Sequence, residues 1–218
     1  MIISHQYKFI FIHIPKTAGS CIYKSLCSTL NFTDQSFKPI VDQSQALLCK
    51  NNLNLANNTT FKQHTKIKDL RLSLDKNIFE DYYKFAFVRN PWDRAVSHYF
   101  YNIKLKARGE LPEFDIDTTF SEYIKTHKYL QSIFTEDFDG NPSKSFDFIG
   151  KQENLQEDFN TICSQIGIPK QNLPPKHSKH SNSTEHDDYK NYYDKKLIEL
   201  VYENLQKDID SFGYTFES

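Results

Sequence analysis

The sequence is poor in several features that mark large classes of protein. Its 218 residues include only four cysteines, and these form no Cys-x-x-Cys pair and no metal-ligand spacing: Cys21, Cys27, Cys49 and Cys163. We therefore expect reduced thiols and a cytoplasmic protein. No apolar run reaches the roughly 18 residues that a membrane-spanning helix needs. The apolar stretch near the start is too short for a signal-peptide core followed by a cleavage site.

The chain also lacks an excess of charge of either sign. Its 27 Lys and Arg residues nearly balance 28 Asp and Glu residues. This balance argues against a surface built throughout for nucleic acid, and it leaves room for a local basic pocket. What the chain does have is aromatic residues, 15% of the total, so large rings should supply much of the core. The length predicts a single domain over residues 1–218.

Three strand-turn-helix units follow one another along the chain. Short apolar and aromatic runs predict strands at "YKFIFIH" (7–13), "KFAFV" (84–88) and "FDFIG" (146–150), and each is followed by a helical pattern. Parallel strands need such helical crossovers, so we predict an α/β fold with three layers around a central parallel sheet.

The remaining segments have weaker patterns. Apolar spacing predicts helices over 66–74, with Thr65 as N-cap, over 119–127 and over 192–211. A short strand or helix is expected around 43–49. Residues 169–188 are rich in proline, lysine, histidine and serine, which is typical of a flexible, lid-like loop.

The first unit carries the loop "PKTAGS", which joins a strand to a helix N-terminus. Backbone N–H groups and the positive end of the helix dipole bind anions at such a place. The small residues Ala18 and Gly19 let the backbone approach a phosphate, Lys16 adds charge, and Thr17 and Ser20 offer hydroxyls. It is not the ATPase loop GxxxxGK[ST], since the lysine precedes the glycine. By spacing alone, a phosphate site and a plain turn both remain open.

The second unit, "FVRNPWDRAVSHY", places Arg89 at the carboxyl end of a strand and Ser97 on the following helix. Ligands of open α/β sheets bind at that end, and arginine gives bidentate contact to phosphate. The alternative is that Arg89 pairs with Asp93 and caps its own helix.

Together the two segments resemble the sulfotransferases that use 3'-phosphoadenosine 5'-phosphosulfate (PAPS). That family has a "PKTAG[ST]" loop and an "RNPxxRxxSxY" segment, and this chain reads "IPKTAGS" at 14–20 and "RNPWDRAVSHY" at 89–99. "FDFIGKQENLQEDF" and the tail from residue 192 are similar to a bacterial branch related to carbohydrate sulfotransferases, including heparan sulfate 2-O-sulfotransferase. The resemblance covers nearly the whole chain and is weakest over 31–60 and 105–145. It implies a P-loop-like sulfotransferase fold.

The resemblance implies roles for individual residues. Lys16 would stabilise charge as the sulfuryl group leaves, and Arg89 and Ser97 would hold the 3'-phosphate. The 5'-phosphosulfate would be held by the loop and its flanks: Pro15, Lys16, Thr17, Ala18, Gly19, Ser20 and Cys21. A late loop often covers the nucleotide in this family, which makes Lys176 and Lys179 candidate cofactor contacts.

Transfer needs a base for the acceptor hydroxyl, and histidine suits this near neutral pH. The family branch has one upstream of its arginine motif, where this chain has His64. The alternative for His64 is a surface histidine or a helix cap. His13 ends a buried strand, so a structural hydrogen bond is expected there, and His98 should face away from the nucleotide. Glu153 is expected to position the helix that follows it.

Residues 177–188 contain HxxH followed by His-Asp-Asp, which suggests a metal site only weakly, because the spacing matches no ordered ligand set. We predict no metal requirement.

The resulting hypothesis is a PAPS-dependent sulfotransferase acting on an acceptor hydroxyl, expected on a saccharide, by in-line transfer. A nucleotide kinase-like phosphotransferase would need the full ATPase loop and a magnesium-binding Asp after a strand, and neither is found. A catalytically silent nucleotide- or glycan-binding module with the same fold is the third alternative.

Overall fold

The protein has an α/β fold with a mostly parallel sheet, as its sequence predicts. The computed structural model describes residues 1–30, 63–126, 128–142, 144–174 and 184–218, together with the backbone of residues 40–41. The segment predicted around 43–49 lies outside these residues.

Five strands form the sheet in the order β3-β1-β2-β4-β5, with these bounds: β1 Ile2–Ser4, β2 Phe9–Ile12, β3 Ile40–Val41, β4 Tyr83–Val88 and β5 Phe148–Lys151. The pairs β2 with β4, β4 with β5 and β1 with β3 are parallel. The pair of β1 with β2 is antiparallel. The three predicted strands are therefore confirmed, and β1 is an additional strand that makes the sheet mixed.

Seven α-helices occur within the described residues, with these bounds: α1 Gly19–Thr29, α2 Ile67–Ser73, α3 Lys76–Asp81, α4 Pro91–Ala107, α5 Phe120–Thr126, α6 Leu155–Gln165 and α7 Lys195–Phe212. Every predicted helix is present to within a few residues. The prediction of Thr65 as an N-cap is wrong, because α2 begins after Lys66, whose side chain makes no capping bond. None of the helices in the described segments is long and apolar enough to cross a membrane.

The chain divides into two compact units. The first comprises 1–88 and 131–174, and the second comprises 89–130 and 175–218. The organisation as one domain over 1–218 stays a prediction.

The core of the first unit forms on one face of the sheet, where aromatic rings from β2 and β4 contact α1 and α6. The fully buried members include Phe9, Phe11, Phe85, Phe87, Ile22, Leu26, Phe159 and Ile162. Burying a side chain of this size contributes about 2–3 kcal/mol, so the aromatic composition does supply the core. The sheet therefore gives firm support to the loop that follows β2.

Candidate active site

The loop between β2 and α1 has an unusual backbone. Lys16 has φ 68° and Ala18 has φ 62°, both in the left-handed region that residues with a Cβ rarely adopt. Each such residue costs about 1 kcal/mol or more and persists only where surrounding structure holds it. Strain of this kind is concentrated at ligand-binding sites, so the loop is more than a plain connection.

The loop presents backbone donors at the start of α1. Gly19 and Ser20 open the helix, and N–H groups at this position have no carbonyl partner inside the helix. The first turn of α1 contains no acidic residue, so nothing there opposes an anion. Two of the predicted contact residues offer no such donor, because Pro15 has no N–H and the Cys21 N–H donates to the Ala18 carbonyl at 2.9 Å.

Thr17 stabilises the loop from inside. Its hydroxyl donates to the Ile14 carbonyl at 3.0 Å, and the residue is buried. Its side chain therefore closes the loop. What it offers to a ligand is its backbone N–H and the hydroxyl lone pairs.

His13 packs against the loop at Gly19. A Cβ built on Gly19 would lie 2.0 Å from His13 Cδ2 and 2.3 Å from His13 Nε2. Only glycine permits this approach of ring to backbone. Burial holds the pKa of His13 well below its usual range, so the ring is neutral near neutral pH. His13 thus has a structural role, because its ring packs against the "PKTAGS" loop and its Nδ1 lies 3.5 Å from Gln63 Nε2.

Replacing Gly19 by alanine should show how tightly this contact is packed. The added methyl group overlaps a buried ring, so we expect a loss of about 2–3 kcal/mol in unfolding free energy and a melting temperature about 5–10 °C lower. Gly109→Ala is the control, because nothing lies within 4 Å of a Cβ built on Gly109, whose positive φ is a separate cost that Gly19 does not have. Left-handed strain alone should cost that variant about 1 kcal/mol. Equal losses in the two variants would contradict a tight His13–Gly19 contact.

His64 lies beside His13, and the two ring centroids are 4.7 Å apart. His64 Nδ1 is 2.8 Å from the His13 carbonyl oxygen. A carbonyl oxygen only accepts hydrogen bonds, so His64 Nδ1 carries the hydrogen and, in the neutral ring, Nε2 carries the lone pair. The fold thus brings the predicted base next to the residue that packs against the "PKTAGS" loop, and it fixes the tautomer a base at Nε2 requires.

Arg89 follows β4 directly and is buried against Asp93. Its Nε lies 2.8 Å from Asp93 Oδ2 and its Nη2 lies 2.7 Å from Asp93 Oδ1. The Arg89–Asp93 pair, which the sequence left open as an alternative, is therefore present and bidentate. Arg89 does not cap the helix. The Asn90 side chain does so, accepting from the N–H of Trp92 at 3.0 Å.

Ser97 lies in the second turn of α4 and is buried. Its hydroxyl is 3.3 Å from that of Thr184, which is also buried. Sequence reasoning missed Thr184, because a partner 87 positions away leaves no local pattern. Thr184 places a second hydroxyl next to that of Ser97.

Two further residues of the "RNPWDR" segment have structural roles that the sequence did not reveal. The Asn90 Nδ2 group donates to the carbonyls of Thr215 and Ser218 at 3.0 and 3.1 Å. Arg94 is buried, donates to the Tyr129 carbonyl at 2.7 Å and lies over the Tyr129 ring. Both residues fix the start of α4, and Arg89 immediately precedes it.

The strands place the starts of both motif segments at one edge of the sheet. β2 and β4 are parallel neighbours with Ile12 opposite Ala86, so their carboxyl ends lie side by side. The "PKTAGS" loop follows β2, and Arg89 is bonded to Val88, the last residue of β4. Ligands of open α/β sheets bind outside this edge.

Several predicted features fall in the segment 169–188. Lys176, Lys179, His177 and His180 lie outside the described residues, and the described parts, 169–174 and 184–188, contain no helix or strand. His98, expected to face away from the nucleotide, contacts Tyr123, with Nδ1 2.6 Å from the hydroxyl. Over the described ranges, no three His, Cys, Asp or Glu side chains are grouped as metal ligands would be. That the protein requires no metal stays a prediction, as do the roles of the two lysines.

Cys21, Cys27 and Cys163 are buried thiols and not disulfides, and Cys49 lies outside the described residues. Burial raises the pKa of the Cys163 thiol to about 11, so this group stays protonated and unreactive near neutral pH.

Comparisons with known proteins agree with the motifs. An uncharacterized protein of Archaeoglobus fulgidus is 29% identical over 106 residues, which are 47% of this chain and 82% of the relative. No solved structure matches the chain. The sequence profile of the Sulfotransferase family matches residues 1–215, almost the full length. The chain belongs to the Sulfotransferase family.

Proposed function

We propose that this protein transfers the sulfuryl group of PAPS to an acceptor hydroxyl on a carbohydrate. Membership of the Sulfotransferase family supports sulfuryl transfer in general. The observation that carries the finer proposal is the arrangement of the strained "PKTAGS" loop, His13 and His64 in one unit. It combines an anion site with a histidine whose Nε2 lone pair can act as a base.

The loop would hold the 5'-phosphosulfate through the N–H groups of Gly19 and Ser20 and the charge of Lys16. Arg89 and Ser97 would hold the 3'-phosphate, with Thr184 beside Ser97. Bidentate pairing with Asp93 fixes the guanidinium plane of Arg89. An arginine held in this way is preorganised for a phosphate, so less side-chain entropy is lost on binding.

The reaction proceeds in line. The acceptor oxygen attacks sulfur as His64 Nε2 takes the hydroxyl proton, and a new oxygen–sulfur bond forms. The bond between sulfur and the bridging oxygen of the 5'-phosphate breaks, and the electron pair stays on that oxygen. Lys16 stabilises the resulting charge, and the products are the sulfated acceptor and 3'-phosphoadenosine 5'-phosphate (PAP).

The carbohydrate acceptor and the cytoplasmic location extend beyond family membership. The acceptor rests on the resemblance to the carbohydrate branch, and the location rests on the cysteine pattern.

Two measurements test the proposal. Calorimetric titration should show PAP binding much more tightly than ATP, and PAPS incubated with a panel of glycans should yield a sulfated product. Tight binding of PAP without transfer to any glycan would favour the silent nucleotide-binding module. Tighter binding of ATP would contradict the donor assignment.

Replacing His64 tests the base. His64→Asn keeps a donor for the His13 carbonyl and removes the base, while His64→Ala removes both. We expect both to lower kcat about a hundredfold with donor affinity nearly unchanged, since a positioned general base contributes about 10²–10⁴-fold. His98→Ala is the control histidine and should keep most of the activity. A His64→Asn variant with normal kcat would remove His64 as the base and leave it a positioning role.

A further inference from the structure

A cavity of about 460 Å³ lies within the second unit, between α7 and the residues that follow it. Four aromatic side chains line it: Trp92, Tyr202, Tyr214 and Phe216. The Trp92 and Phe216 rings meet edge to face with centroids 5.8 Å apart, and Tyr202 is 43% exposed at the opening. This volume suits a small molecule, and aromatic faces provide negative electrostatic potential.

A break in α7 shapes the cavity. Leu205 has φ −121° and ψ 19°, which is not helical, and α7 changes direction there. Tyr202 lies before the break, and Tyr214 and Phe216 lie beyond it. Helix α7 contains no proline, so proline, a common cause of helix kinks, does not cause the break at Leu205.

Two carboxylates complete the lining. Glu199 and Glu203 are one helical turn apart on α7, both are exposed, and both border the cavity. In the described part of the chain neither has an ion pair. The opening therefore combines two exposed carboxylates with aromatic walls.

We propose that this cavity binds a small organic cation, with a quaternary ammonium group on an apolar body. Such a cation is weakly hydrated, gains cation–π attraction from the rings and is drawn by the two carboxylates. The carboxylates of Glu199 and Glu203 would repel an anion. A neutral apolar ligand would gain no electrostatic attraction from them.

The cavity is distinct from the nucleotide site proposed above. Arg89 pairs with Asp93 and Ser97 contacts Thr184, and none of these four residues lines the cavity. Binding there can be measured without sulfuryl transfer, even if the proposed donor is wrong.

Choline and 3,3-dimethylbutan-1-ol make a matched pair of probes, because they share one shape and differ in charge. Trp92 is the one tryptophan in the chain, so its emission reports the cavity directly, and calorimetry gives the affinity. We expect choline to bind saturably, with a change in Trp92 emission, and at least about tenfold more tightly than the neutral isostere. Equal affinity for the two probes, or no saturable binding of choline, would overturn the proposal.

The double variant Glu199→Gln/Glu203→Gln locates the site. Because both side chains are exposed, it should fold normally, which its melting temperature checks. It should weaken choline about five- to tenfold at low salt and leave the isostere unchanged. Glu157→Gln, an exposed glutamate on α6, is the control and should bind choline normally. Choline binding that survives the double variant unchanged would place the cation elsewhere and refute the assignment.

Discussion

Lys16→Ala should lower kcat about a thousandfold while PAP affinity falls far less. In the proposed reaction, negative charge develops on the bridging oxygen only as the oxygen–sulfur bond breaks. A fixed cation at that oxygen therefore stabilises the transition state more than the ground state, and removing one such group costs about 3–4 kcal/mol. Single-turnover rates with saturating PAPS, together with PAP affinity by calorimetry, separate the two effects.

The backbone at Lys16 strengthens this expectation. Its φ of 68° is held although lysine has a Cβ, so the loop accepts strain at the residue whose side chain the proposed reaction uses. Lys24→Ala, on α1 of the same unit, is the matched control and should retain activity. Lys16→Arg keeps the charge in a different shape and should recover part of the rate. A Lys16→Ala variant that lost PAP affinity and kcat in equal measure would show a lysine that binds without catalysing.

Arg89→Ala should abolish the preference for a 3'-phosphate. We expect PAP affinity to fall several hundredfold, because losing one partner of a largely desolvated ion pair costs about 2–5 kcal/mol. Affinity for adenosine 5'-phosphosulfate, which has no 3'-phosphate, should change little. Calorimetry with both nucleotides measures the difference directly.

The pair of Arg89 with Asp93 has a counterpart that serves as control. Arg71 pairs with Asp137 at 3.4 Å on the surface of the first unit, outside the proposed site. Arg71→Ala removes a longer and more exposed Arg–Asp pair and should leave both nucleotide affinities unchanged. Equal losses for the two nucleotides in Arg89→Ala would contradict its role at the 3'-phosphate and would indicate disruption of α4 instead.

The parts of the fold that the sequence predicted are those with strong local signals. The strands around Phe11 and Phe87 are apolar runs followed by turn residues, and the helices after them have clear apolar stripes. Strand β1 was missed because three residues are too few for a periodic pattern. The division into two compact units at Val88 has no signal in the sequence, since it falls inside a strand-turn-helix segment and leaves no change in composition.

In the candidate site, too, only the contacts that have a local signal in the sequence could be predicted. The spacing of Arg89 and Asp93 is one helical turn, so their pairing could be anticipated. The contact of His13 with Gly19 has no such signature, because it depends on how the end of a strand meets the first turn of a helix. The hydrogen bond from His64 to the His13 carbonyl joins residues 51 positions apart, and only the tertiary structure reveals it. That bond fixes the tautomer of His64, which the position of the residue in the sequence does not indicate.

The most direct test of the central claim is to follow PAPS and a glycan panel by mass spectrometry with the wild-type protein. We predict a sulfated glycan and PAP appearing in equal amounts, with both strongly reduced in Lys16→Ala. Release of PAP without a sulfated product, or a product that forms at the same rate in Lys16→Ala, would contradict the account.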